Sequence, residues 1–146
     1  MVPTEKVNEA TRREWRELGF FYERDDETKE WLLRGSRAGL LGFARILLEY
    51  SKNPRRQQLS EHDHLGPYMY LEIGTWSARV INEHWIAGTL EDLSVLSALI
   101  TEWVSTAKEG EVFRFREAYA PVSPYELRLE VCGADFDPAT ADKACW

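Results

Sequence analysis

Glu30-Trp31-Leu32-Leu33-Arg34-Gly35-Ser36 and His84-Trp85-Ile86-Ala87-Gly88-Thr89 are two versions of one pattern, and their likeness decides the fold. Each is a strand-like apolar run closed by a glycine and a hydroxyl residue, and each leads into an amphipathic helical pattern. At an offset of 53 positions Gly35, Leu40 and Glu49 recur as Gly88, Leu93 and Glu102. Ser36 recurs as Thr89, Phe43 as Leu96, Ile46-Leu47 as Leu99-Ile100 and Tyr50 as Trp103. Strand, glycine, capping hydroxyl and helix form a generic grammar. The repeat is therefore either an internal duplication or one packing solution used twice, and the expected fold is the same.

Ser36 predicts a helix over about 37–52, because its side-chain oxygen can accept from a first-turn N–H that no carbonyl reaches. Leu40, Phe43, Ala44, Leu47 and Leu48 make the buried stripe, and Asn53-Pro54 ends it. Gly39 and Gly42 weaken that helix and point to close packing. Thr89 predicts a second helix over about 90–107, with Asp92 completing a capping box and Glu91 favouring the positive helix start.

The flanking segments read as strands. Gly19–Arg24 and Glu30–Arg34 form a hairpin around Asp25-Asp26-Glu27, after an opening helix over 4–18. A polar loop over about 54–67 precedes a strand from Tyr68 to Thr75. Alternation sends its Met69, Leu71 and Ile73 one way and Tyr68, Tyr70 and Glu72 the other. Residues 80–87 supply its antiparallel partner, and a last hairpin spans about 111–119 and 125–132. There Phe113 and Phe115 alternate with arginines, and an Arg–Glu ladder is expected on the wet face. From about residue 133 a loose tail is expected, with a short turn at Asp137-Pro138.

The expected fold is α+β: a single domain over 1–146, ordered ββα-ββα-ββ. It is a two-layer sandwich with an antiparallel sheet of about six strands and two main helices on one face. The other face of the sheet is left for function.

Composition narrows the function classes. Eighteen basic against 25 acidic residues give a net charge of −7, and Arg55-Arg56 is the best basic cluster, which argues against nucleic-acid binding. An acidic surface instead favours encounter with basic partners. Cys132 and Cys145 are not spaced as a redox or zinc motif, and Cys145, beside Trp146, reads as a free, exposed thiol. No signal-peptide core or long apolar run stands in the chain, so a cytoplasmic protein with no membrane partner is expected.

Catalytic signatures are absent. Ser36 directly follows Gly35, the wrong spacing for a nucleophile elbow, and neither G-x-G-x-x-G nor a Walker pattern occurs. Glu61-His62-Asp63-His64 is the one constellation that looks like a site, since His-x-His sets two imidazoles on one side of an extended segment. It lacks cysteine, and His84, the only other histidine, lies on a distant strand. The segment is accordingly read as a solvated or partner-contacting loop, with no metal and no cofactor assigned.

The stretch from Leu32 to Thr75 resembles small bacterial immunity proteins encoded beside polymorphic or contact-dependent toxins. The similar features are the strand ending in Gly35-Ser36, the helix Gly39-Leu40-Leu41 through Leu47-Leu48, the loop with His62-Asp63-His64, and the strand after it. The resemblance covers under a third of the chain and carries no contact residues. It implies a non-enzymatic protein that binds and blocks a cognate toxin, often a nuclease. The expected contact surface is centred on Tyr68, Tyr70 and Glu72, with Asp25, Asp26, Glu61 and Asp63 as acidic loop residues. Two alternatives stand beside it: a metal-dependent enzyme or metal-binding protein using His62 and His64, and a homo-oligomeric structural protein. A homodimer is compatible with each reading.

Overall fold

The computed structural model describes residues 4–146. Both expected caps start their helices. Helix α1 (Glu5–Leu18) begins at Thr4 and ends at Gly19, and strands β1 (Phe20–Asp25) and β2 (Glu30–Gly35) form the first hairpin. Helix α2 (Arg37–Ser51) begins at Ser36, whose hydroxyl accepts from Gly39 N–H at 3.1 Å. Strands β3 (His62–Leu65), β4 (Leu71–Thr75), β5 (Val80–Ile81) and β6 (Trp85–Gly88) follow. Helix α3 (Leu90–Thr106) begins at Thr89 with a full capping box: Thr89 accepts from Asp92 N–H at 3.1 Å, and the Asp92 carboxylate accepts from Thr89 N–H at 3.0 Å. Strand β7 (Val112–Arg114), the short helix α4 (Arg116–Tyr119) and strand β8 (Glu126–Val131) complete the regular elements.

The class is α+β, but the single antiparallel sheet of six strands is replaced by two four-stranded mixed sheets. One runs β1-β2-β8-β7 and the other β3-β4-β6-β5. At the centre of each lies a parallel pair, β2 with β8 and β4 with β6. The 80–87 segment is therefore not one antiparallel partner for β4: Val80–Ile81 pairs with β6, and β6 runs parallel to β4. Alternation tells which side of a strand is buried, but it does not tell which strand lies beside it.

The two sheets are built alike. β1-β2-α2-β3-β4 and β5-β6-α3-β7-β8 have the same pairing pattern, and each half gives its last two strands to the other half's sheet. Register carries the likeness to single residues. Leu32 lies opposite Arg128 and Gly35 opposite Val131; their counterparts Trp85 and Gly88 lie opposite Glu72 and Thr75. The helices α2 and α3, one from each half, pack along each other.

One continuous apolar cluster draws on both sheets: Phe20, Tyr22, Trp31, Leu33, Leu127 and Leu129 from the first, Leu71, Ile73, Ile81 and Ile86 from the second. Gly39 is a true close approach, since a Cβ there would sit 2.0 Å from the Gly19 carbonyl oxygen; Gly42 has open space instead.

Other expectations are corrected. The residues after 133 are not a loose tail: 3-10 turns at Pro138–Ala141 and Lys143–Cys145 pack on α1. Trp15 Nε1 donates to Asp142 at 2.9 Å, Arg12 donates to the Cys145 carbonyl, and Arg16 pairs with Asp137 at 2.9 Å. This docking buries Cys145, which is free but only 1% exposed. The last hairpin is shorter than expected because the chain turns into α4 after Arg114, which faces Arg128 rather than a glutamate. Among the described residues, no helix is long and apolar enough to cross a membrane.

Candidate functional site

Tyr68, Tyr70 and Glu72 do not share a strand face. The strand starts only at Leu71, and Met69 takes a left-handed backbone (φ 62°) that turns the chain before it. The tyrosines consequently fold against the edge of the first sheet, while Glu72 stays on the second. Tyr70 packs edge-on to Tyr22 (5.6 Å) and stacks near Trp31 (6.5 Å), and Tyr68 and Tyr70 are themselves stacked at 6.1 Å. The Tyr68 hydroxyl donates to Asp142 at 2.6 Å. Burial, together with the Asp142 carboxylate, pushes the Tyr68 phenol up, and burial does the same for Tyr70. Both still show a broad surface: Tyr68 is 43%, Met69 56% and Tyr70 46% exposed.

The acidic loop residues are held by local partners. Asp25 caps the β1–β2 turn by accepting from Glu27 N–H at 3.0 Å. Asp26 accepts from Tyr125 OH at 2.7 Å and pairs with Arg24 at 2.7 Å; the hydrogen bond from Tyr125, with Arg24 after it, holds its carboxyl below the ordinary range. Arg56 gathers the other two, hydrogen-bonding Asp63 and lying 3.8 Å from Glu61. Glu61 and Asp63 thus sit at the outer edge of the second sheet, and Asp25 and Asp26 at the hairpin tip of the first.

The segment expected as a loop at His62–His64 is strand β3, paired with β4. Strand periodicity places His62 and His64 on one face, and register places Glu72 directly across from His64. All three side chains converge, with His62 Nε2 3.3 Å and His64 Nε2 3.7 Å from the same Glu72 oxygen. The other nitrogen of each ring is held from behind: His62 Nδ1 lies 2.8 Å from Ser60 O and His64 Nδ1 2.7 Å from Met69 O. The position across from His62 is Gly74, where a Cβ would meet the Trp85 ring at 2.4 Å. His84 stays outside the cluster, next to Glu83.

Trp85 and Trp76 are the residues that sequence reasoning missed. Trp85 stands across from Glu72, its ring lies over Gly74, and Trp76 packs 5.9 Å from it with 39% exposure. The outward side of the second sheet therefore carries His62, His64, Glu72 and a tryptophan pair. It adjoins the Tyr68–Tyr70 segment, because the Met69 carbonyl holds the His64 ring. The signal for Trp85 was its place in the repeat, but only the β4–β6 register shows that it neighbours Glu72.

Comparison with protein-family models, with curated proteins and with solved structures yields no match.

Proposed function

We propose that the chain is a non-enzymatic protein-binding module that neutralises a cognate bacterial toxin, its occupant being the basic cleft of a nuclease-type domain. The observation that carries this reading is the Tyr68-Met69-Tyr70 segment, where three large side chains stay about half exposed around a left-handed Met69. A non-glycine residue in that region costs of order 1–3 kcal/mol, and such strain clusters at ligand clamps. Tyrosine and tryptophan are the side chains that anchor interfaces, and Trp76 and Trp85 extend the surface beyond Glu72. Glu61 and Asp63 at the sheet edge, Asp25 and Asp26 at the hairpin tip and a net charge of −7 suit a basic partner, chiefly by raising the association rate.

Co-expression with the product of the neighbouring gene, which this reading expects to be a toxin, is the test. Growth is expected to be restored by the wild-type chain and restored poorly by Tyr70→Ala. Full toxicity in the presence of soluble, folded wild-type protein would remove the immunity role.

A further inference from the structure

We propose that His62, His64 and Glu72 form a binding site for one divalent transition-metal ion of the zinc class. This inference goes beyond the partner reading and does not depend on it.

The geometry begins with the two Nδ1 atoms. Each faces a backbone carbonyl, Ser60 O at 2.8 Å and Met69 O at 2.7 Å. A carbonyl oxygen only accepts, so each Nδ1 must carry the hydrogen and each neutral ring presents a bare Nε2 lone pair. Both Nε2 atoms lie 3.3–3.7 Å from the same carboxylate oxygen of Glu72, and the three donor atoms lie within 4.8 Å of one another. Three electron-rich atoms converge with no donor between them. A single metal ion at the centre would satisfy all three at once.

Distances and chemistry favour the metal. Zinc bonds of about 2.0–2.1 Å to nitrogen and oxygen set tetrahedral donors roughly 3.3–3.4 Å apart. The two Nε2–Oε1 distances are 3.3 and 3.7 Å, close to that spacing, and all three donor atoms lie within 4.8 Å, so an ion would draw the two imidazoles toward each other as it binds. Imidazole and carboxylate are ligands that zinc takes readily. The carbonyls behind the rings are the outer partners that metal-binding histidines use to fix orientation. Sequence and register build the rest: i, i+2 spacing on β3 and Glu72 across from His64. Three protein ligands leave a fourth position on the exposed side of the sheet, open to water or to a donor from a bound partner. Ion binding would also pin the edge strand β3 to β4.

The test uses the purified chain stripped with chelator and titrated calorimetrically with zinc chloride. One equivalent per chain is expected, weakened at least tenfold in His62→Gln, His64→Gln and Glu72→Gln, and unchanged in His84→Gln. On the wild-type protein, ¹⁵N NMR of the imidazoles reads the same question without any substitution. Nε2 of His62 and His64 is expected to shift to the metal-bound position at one equivalent, while His84 stays put. The inference is overturned by absence of stoichiometric binding at micromolar zinc, by unmoved His62 and His64 Nε2 resonances, or by equal loss in His84→Gln. The first two outcomes would show that the cluster holds no metal, and the third would mark an adventitious surface contact.

Discussion

Ser97 Oγ donates to the Ala44 carbonyl at 2.6 Å, and these two residues are 53 positions apart, the offset of the repeat itself. Equivalent positions on α2 and α3 therefore meet where the helices pack, and Ser97 is buried there. The hydroxyl offers a small side chain for close helix approach and satisfies itself on the neighbouring backbone. Ser97→Ala should lower the unfolding free energy by about 1 kcal/mol, the net worth of such a bond. Ser97→Leu should lose about 1–3 kcal/mol through overpacking. Urea denaturation measures both, and a neutral Ser97→Leu would show that the helices are not in close contact at this point.

Acid stability should depend on the second helix cap. Burial works to raise the Asp92 carboxyl, but hydrogen bonds from Arg79 (2.9 Å) and the Thr89 N–H outweigh it and hold the group below the ordinary aspartate value. A folded-state value below the unfolded one means stability that is present above about pH 4 and is lost as pH falls through that range. Asp92→Asn should therefore be less stable at neutral pH by about 1 kcal/mol and show a shallower decline below pH 4. Thermal melts across pH 3–7 read this directly; parallel curves for the two proteins would contradict it.

At the alkaline end the tyrosines set the behaviour. All six are shifted upward, mainly by burial for Tyr22, Tyr50, Tyr68, Tyr70 and Tyr119 and by the Asp26 hydrogen bond for Tyr125. Tyr22 is pushed up to about 12. Raised values in the folded state mean stability that is intact below the unfolded tyrosine value of about 10 and declines as pH rises above it. Phenolate absorbance should thus rise steeply and together with loss of structure above pH 10. An independent titration of several tyrosines near pH 10 in folded protein would argue that their rings are more solvated than the packing allows.

Much of the helical frame was legible because caps and apolar stripes are local. Ser36 and Thr89 announce their helices by chemistry that acts within one turn. The sheets were less legible because strand neighbours are chosen by packing at long range. No local signal distinguishes β6 beside β4 from the antiparallel arrangement first expected, and the turn at Met69 breaks an alternation that otherwise looked continuous from Tyr68 to Thr75. For the same reason His62 and His64 were visible as a pair, while Glu72, reached across β3–β4, was not. The docked C-terminal turns were missed because their contacts to Arg12, Trp15 and Arg16 span more than 120 residues.

The most direct measurement is calorimetric titration of the purified chain with the product of the neighbouring gene, which the proposal takes to be the toxin. One-to-one binding is expected, weakened by about 2 kcal/mol or more in Trp76→Ala and by more than about 1 kcal/mol in Tyr70→Ala. Asp63→Asn should chiefly slow association and reduce its salt dependence. Absence of binding by the folded wild-type chain, or binding untouched by both aromatic substitutions, would contradict the proposal that this surface exists to hold a protein partner.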